Sequence, residues 1–584
     1  MKNILKLYLL TCCGCFFAGC TNLDEIYYSE IAQNTYFSTK DNIYAALARP
    51  YTKWRGTHEF NPWMMQECVA DEFCVTQKGA DYESGGVYRQ FHWHTWTPEH
   101  SNIYNVYFQM GEGISYALAM IDELSALDYP SFGLTEHDKA DHILQLKMLV
   151  GYSYMRALDF FGGMPLYREY TLDEVPRSTA RETFDYIEAL FLEGIAPESS
   201  LKKKNLGEQE EGWVNQGIVA TCLARLYFNA QVYIGEDRFD ECAQLCEDIL
   251  DGKYGQYELE ETWNAPFGFD NDFSKEVIWS CASQYSMNQI GWDYERFNHY
   301  NAKDYYDVDG MGSTNGAHLQ PSLAPDGTPY TFNIGTPFAR FNDADLRKKG
   351  YIYLGNKQYE GMFLYGKQER ITSDGRTVKC MGAREYTGEV ITLVDQVAQF
   401  KKVGTEYASV SELPSNITTG EENSGVRLVK RPVPDRTGLD LRYNPDYVVI
   451  RLAEIYYMLA ECKYRAGDKG GAASLINEVR KRNFEGGLDP DPCTEANLDK
   501  YRFLQEWMLE FLGEGRRRTD LRRWNAYTTE RWWDHEPSEH YRELFPIPQL
   551  SISASNVELK QNPGYGGNEM SAADAGLFNV PDIE

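Results

Sequence analysis

Between Tyr82 and Tyr107 the chain reads YESGGVYRQFHWHTWTPEHSNIYNVY, a stretch with little helical period and many rings. Trp93, Trp96, Tyr88 and Phe91, with the guanidinium of Arg89, are the side chains that grip flat ligands. Aromatic faces stack on the apolar C–H faces of sugars, while Arg and Asn reach hydroxyls. A second stretch, Ser283 to Tyr306, reads SQYSMNQIGWDYERFNHYNAKDYY and offers Tyr285, Trp292, Phe297 and Tyr305 as an opposing wall. The competing reading of both is ordinary packing, with the rings pinning loops to a core beneath them. Aromatics make up 14% of the chain, an excess that fits either reading.

Other clusters promise less. His92, His94 and His100 with Glu99 invite a zinc reading, but a third ligand on an ordered scaffold is not evident, so no metal is expected. Asp307-Val308-Asp309-Gly310 opens like a calcium loop, yet Gly316 stands where the closing acid belongs. Lys469-Gly470-Gly471 lacks the spacing of a phosphate loop. HExxH, GxSxG and the kinase set are absent from the sequence, so neither a catalytic residue nor a cofactor is expected.

The elements that must position these residues are mostly helical. A length of 584 residues exceeds one hydrophobic core. From Gly217 to Leu250, Ile218, Cys222, Arg225/Leu226 and Asn229/Ala230 recur at three- and four-residue steps. Gly235-Glu236-Asp237 breaks the run, and Phe239, Ala243, Cys246 and Leu250 resume it. That is helix–turn–helix within the period of a tetratricopeptide repeat. The pattern returns from Val448 to Arg482, and earlier from His142 to Phe161 with a partner from Arg181 to Gly194. Stacked hairpins form the expected scaffold. Residues 263–442 differ, being rich in Gly, Pro, Asp and Asn, with short alternating runs such as Tyr351-Ile352-Tyr353-Leu354. They read as a loop-rich insertion with brief strands, the kind of segment that carries function. Residues 566–584 read as a poorly ordered tail.

The N-terminus sets the compartment. Lys2 and Lys6 precede an apolar run from Leu7 to Phe17, a secretory signal too short to span a bilayer. Ala18-Gly19-Cys20 closes it and resembles a bacterial lipobox, which makes Cys20 the expected lipid attachment site, although Phe17 replaces the usual leucine. Several acyl chains on one cysteine anchor stably. Ordinary secretion after Gly19 is the alternative. Asp24-Glu25 behind the cysteine resembles the surface-export signal of Bacteroidetes lipoproteins. Removing residues 1–19 takes away Lys2 and Lys6 and no acid, moving the formal charge from −30 to −32. Such a surface repels phosphate backbones, so nucleic acid is not an expected partner. The Cys12–Cys15 spacing leaves with the signal, and Cys222 and Cys462 fall in helical apolar patterns as small hydrophobes, so no redox pair is expected.

Ordered motifs along the chain resemble the SusD/RagB family. Tyr154 to Leu166 (YMRALDFFGGMPL) is similar to its first conserved helix end, and Val175-Pro176-Arg177 with Glu182 to its next block. Arg451 to Glu461 (RLAEIYYMLAE) and Ile476-Asn477-Glu478-Val479-Arg480 are similar to its later helices. Glu510 to Trp524, Leu544 to Gln549 and Gln561 to Tyr565 match its closing motifs. Trp507 departs where the family often has Arg, which puts one of its ion pairs in doubt. Glu506, Glu510 and Glu514 recur every four residues as an acidic stripe. Arg516, Arg517, Arg518, Arg522 and Arg523 follow, so buried ion pairs are expected between them.

The resemblance implies a mostly α, SusD-like fold with tetratricopeptide-type pairs. It implies a signal at 1–19, a lipidated tether and first helix at 20–45, and helical regions at 46–262 and 443–565 flanking the insertion. Family members act without chemistry, as lids over a SusC-like TonB-dependent transporter in the outer membrane, binding a glycan or other nutrient on the cell exterior. Two other classes stay open. A secreted glycoside hydrolase would need two carboxylates roughly 5 to 9.5 Å apart across a sugar. A structural helical-repeat surface protein would explain the repeats but not the Trp-rich loop.

Overall fold

The computed structural model describes residues 36–436 and 439–583. The signal at 1–19, Cys20 and most of the tether lie outside the described residues. Helix α1 (Lys40–Gly56) starts at a capping box in which the Thr39 side chain accepts from the Asn42 backbone, while the Asn42 side chain bonds back to the Thr39 backbone. Helices α2 (Ser101–Ser125), α3 (Glu136–Phe161), α4 (Ala180–Gly194), α5 (Gln216–Phe228), α6 (Phe239–Leu250), α7 (Leu452–Arg465) and α8 (Lys469–Arg480) then pack each against the next. This serial stacking is what the repeated apolar steps require, since no single hairpin can cover its own apolar face. Thr135 with Asp138 and Thr179 with Glu182 form capping boxes that fix where α3 and α4 begin. Glu182, part of a family motif, therefore has a local structural role.

Helix α3 ends at Gly162 with φ of 74°, where a Cβ would fall 1.7 Å from the Ala575 carbonyl oxygen. Only glycine allows the C-terminal segment to approach so closely. Arg177 then ties two distant motifs together. Its guanidinium donates to the carbonyls of Gly163 and Phe161 and to the Asn562 side chain, at 2.6, 2.7 and 2.6 Å.

The insertion is tied to the frame at both ends. Strand β1 (Val277–Cys281) precedes the hairpins β2–β3 (Ile352–Gly355, Gln358–Glu360) and β4–β5 (Glu369–Ile371, Thr377–Lys379). Strand β6 (Tyr447–Arg451) follows them and returns antiparallel to β1, with Val448 opposite Ser280. The expected run at Tyr351–Leu354 is half of one of these hairpins.

Helix α9 (Lys500–Phe511) and helix α10 (Arg517–Arg523) carry the acidic and basic runs. Glu514 lies past the end of α9, in the turn before α10, so the stripe is not the one helix face expected from its spacing. The pairs do form. Buried Arg451 meets Glu510 and Glu514 at 2.7 Å each and Glu276 at 3.3 Å. Arg482 and Arg347 join Glu510 at 2.9 Å. Burial alone would raise the Glu510 carboxyl pKa, but the three guanidiniums outweigh it and hold it far below the ordinary range. Arg517 pairs with Asp71 at 2.6 Å, Arg518 with Asp159 at 3.1 Å and Arg523 with Glu461 at 2.7 Å. Trp507 takes a different role where the family often has Arg. Its indole donates to Glu461 at 2.8 Å and the Arg516 guanidinium lies 4.1 Å over its ring.

The tail corrects the expectation of poor order. Helix α11 (Ala572–Ala575) and the buried Leu577 and Val580 pack on the body. Phe578 lies so close to Gly235 that a Cβ there would meet its ring at 2.7 Å. These apolar side chains hold the segment despite its glycines. The nine cysteines of the described region are free and buried. Among the described residues no helix is long and apolar enough to cross a membrane.

Candidate ligand site

The Trp93 loop is built under strain and braced from one side. A 3₁₀ turn (Ser84–Gly86) and a short helix (Val87–His92) lead into it, and α2 follows. Tyr82, Ser84 and His94 adopt positive φ of 59°, 40° and 52°, as does Asp534 of the facing loop at 51°. Each such residue costs about 1 kcal/mol or more, and clusters of them occur where surrounding contacts hold a binding or active site.

The contacts here are histidine bonds. His92 Nε2 donates to the Trp533 carbonyl at 2.9 Å, and His535 Nδ1 returns a bond to the His92 carbonyl at 2.7 Å. His94 Nε2 donates to the Val69 carbonyl at 2.7 Å, leaving Nδ1 to accept from the Ser538 hydroxyl at 2.8 Å. The His535 ring stacks on Trp532 at 3.8 Å, nearly parallel. Burial pushes the His92 pKa down to about 4, and burial with the neighbouring His92 pushes His535 down to about 3. These rings are therefore neutral braces near neutral pH. His100 bonds separately, to the Val87 carbonyl at 3.1 Å. The three histidines that invited a zinc reading diverge to different carbonyls, and no group of His, Cys, Asp or Glu among the described residues is placed to hold a metal ion.

The bracing exposes one indole and buries the other. Trp93 is 37% exposed, and its Nε1 donates to Asp534 Oδ2 at 2.9 Å. It edges a groove of about 570 Å³ lined by Asp534 and the segment running to Arg542. Trp96, expected to touch ligand, is fully buried. It packs on Phe545 at 4.8 Å and donates to the Tyr565 hydroxyl at 2.7 Å. The left-handed turn at His94 sends it inward, so it pins the loop. Tyr88 is half-buried, edge-on to Tyr82 at 5.4 Å, and Arg89 lies 3.8 Å from Glu83.

The second stretch does not form an opposing wall. Trp292 and Phe297 sit inside an aromatic core with Phe60, Trp63 and Phe73. Tyr305 is buried beneath Arg370, whose guanidinium is 4.9 Å from its ring. The aromatic content and the place in the loop-rich insertion that made these rings look like a platform also suit a core under the loops. Tyr285 alone of the four is exposed, at 37%, stacked on Tyr443 with centroids 6.0 Å apart.

Sequence reasoning missed Asp534, Asp81, Tyr300 and Arg384. Asp81 accepts from the Tyr300 hydroxyl and pairs with Arg384 beside the loop. Asp307, in the segment resembling a calcium loop, pairs instead with Arg376. The run Trp532-Trp533-Asp534-His535 was the available signal for the facing loop: adjacent indoles beside an acid, without helical period.

A mostly helical body of stacked hairpins bearing a large loop-rich insertion, with a braced exposed indole at one groove, defines the structural class. The SusD family model matches residues 246–565, more than half of the chain, and the chain belongs to that family. It is 24% identical over 494 residues to the starch-binding protein SusD of Bacteroides thetaiotaomicron, covering 81% of this chain and 80% of that one. Among solved structures, NanU of B. fragilis superposes with a TM-score of 0.64 at 17% identity, covering 92% of this chain and 99% of that one. The surface glycan-binding protein A of B. thetaiotaomicron, in complex with laminarihexaose, superposes with a TM-score of 0.63 at 17% identity, covering 90% and 100%.

Proposed function

We propose that the chain is a cell-surface lipoprotein that captures a glycan without chemical change and passes it to a SusC-like TonB-dependent transporter in the outer membrane. The observation that carries this reading is Trp93, an exposed indole held rigid by Asp534 beside an open groove. A fixed ring offers its face to a sugar with little further loss of side-chain freedom. Family membership and relatives named for starch and glycan binding support the ligand class. The acyl chains on Cys20 hold the protein at the membrane, and the insertion at 263–442 and the helical regions on either side of it serve one binding body.

The test is an affinity screen of the chain without residues 1–20 against a glycan panel, with reducing-sugar release measured on the same samples. Binding without release supports this reading. Release of reducing ends identifies a glycoside hydrolase instead, and absence of binding across the panel leaves a structural surface protein.

A further inference from the structure

The charges around Trp93 bear on which glycans bind, an inference that rests on the binding reading above. A carboxylated or sulfated sugar is recognised by cations with free donors. Around this loop most of the cations are already engaged. Arg89 lies 3.8 Å from Glu83 and against the backbone of Gly86. Arg384 is paired with Asp81 and lies 4.9 Å over the Tyr300 ring. Arg531 is 2.8 Å from Glu536. Arg542 donates to the Trp96 carbonyl at 2.5 Å and is surrounded by the rings of Tyr541, Tyr565 and Trp96. Lys78 is buried beneath Tyr82 and bonds to the Thr76 and Gly316 carbonyls at 3.2 Å each. Arg296, near Tyr88 and outside the groove lining, faces the buried Phe60 ring at 5.0 Å, and its Nε has no hydrogen-bond partner.

The acceptors keep capacity to spare, because a carboxylate that already accepts one or two bonds can accept more. The groove beside Trp93 carries three carboxylates, Asp534, Glu536 and Glu539, against the single guanidinium of Arg542. Glu539 is exposed and has no ion-pair partner among the described residues. The whole chain adds a formal charge of −30, which disfavours approach of any polyanion.

We propose that this platform selects neutral, polyhydroxylated glycans and rejects those bearing uronate or sulfate groups. Hydroxyls find carboxylate acceptors beside a stacking ring, whereas an anionic substituent in this groove meets three carboxylates and one guanidinium that the Trp96 carbonyl already holds.

The test titrates the mature full-length protein with matched oligosaccharide pairs, each a neutral chain and the same chain oxidised at C6 to the uronate. The neutral member is expected to bind at least about tenfold more tightly. The gap is expected to narrow at high salt, because exposed charges are screened. Glu536→Gln, which releases Arg531, is expected to raise affinity for the uronate. Equal or tighter binding of the uronate at low salt overturns the proposal, and so does neutral binding that survives Trp93→Ala intact. If neither member of any pair binds, the binding reading itself fails, an outcome distinct from loss of charge selectivity.

Discussion

Asp534 Oδ2 accepts two bonds at once, from the indole of Trp93 at 2.9 Å and from the backbone N–H of Ile417 at 2.8 Å. One carboxylate thus joins the Trp93 loop, the insertion and the Trp532–His535 turn, and it fixes the plane in which the exposed ring lies. Removing it frees the ring and takes one carboxylate from the groove lining. Asp534→Ala is expected to weaken glycan affinity by about three- to tenfold, in line with loss of preorganisation. Asp534→Asn, which keeps an acceptor oxygen, is expected to retain most of it. Calorimetric titration of both variants with the same glycan checks the difference. Equal affinities for the two variants would remove Asp534 from the account.

The two neighbouring tryptophans are expected to separate cleanly by stability. Trp96 is fully enclosed, so Trp96→Ala should cost about 3–5 kcal/mol through lost burial and the cavity left behind. Trp93 is partly exposed and should cost about 1 kcal/mol or less on the same change. Urea unfolding of both variants reads this directly. Similar losses would mean that the loop faces the other way.

Much of the scaffold was legible in the sequence. Apolar residues at three- and four-residue steps place the helices from α3 to α8, because burying one face of a helix imposes that spacing. The ion pairs of the arginine run were legible too, since the acidic stripe just before it offers Arg517, Arg518 and Arg523 partners of opposite charge. The pairing of Val448 with Ser280 was not, because a strand's own residues do not specify a partner far away in the chain. The site was half legible. Composition singled out the loop from Tyr82 to Trp96, but which indole faces outward depends on the positive φ at His94 and on the turn at Asp534. The second stretch misled for a related reason: exposed and buried aromatic clusters have the same composition, and only the fold distinguishes Tyr285 from Trp292.

The buried network around Arg451 is expected to matter for folding rather than binding. Arg451→Met leaves Glu510, Glu514 and Glu276 short of a partner, and breaking such a network costs about 3–5 kcal/mol. Denaturation at low and high salt checks it. Because the group is enclosed, the loss should change little with ionic strength. A loss that disappears in high salt would place the network at the surface.

The carboxylate of Glu422 provides a pH signature. It accepts from the backbone N–H groups of Ala383, Arg384 and Tyr386 at 2.8, 3.1 and 2.8 Å, and from His299 Nε2 at 2.9 Å. Burial acts to raise its pKa, but the His299 bond and the backbone donors prevail and bring it down to about 2. A folded pKa below the ordinary carboxylate value near 4.5 contributes stability that is fully present above about pH 4.5. That contribution is lost as pH falls towards 2. Glu422→Gln is therefore expected to lower stability at pH 7 and to flatten the acid limb in that window. Unfolding curves from pH 7 to 2 check it, and an unchanged acid limb would contradict it. Since these donors hold Arg384 beside Asp81, the variant should also loosen the edge of the platform.

The central claim is that Trp93 meets a sugar ring while Trp96 only supports it. The most direct measurement is calorimetric titration of a glycan identified in the affinity screen into the wild-type protein and into Trp93→Ala, with thermal melting of both. A loss of affinity of about tenfold or more with an unchanged melting temperature is the predicted result. Undiminished affinity in a folded Trp93→Ala protein would contradict it.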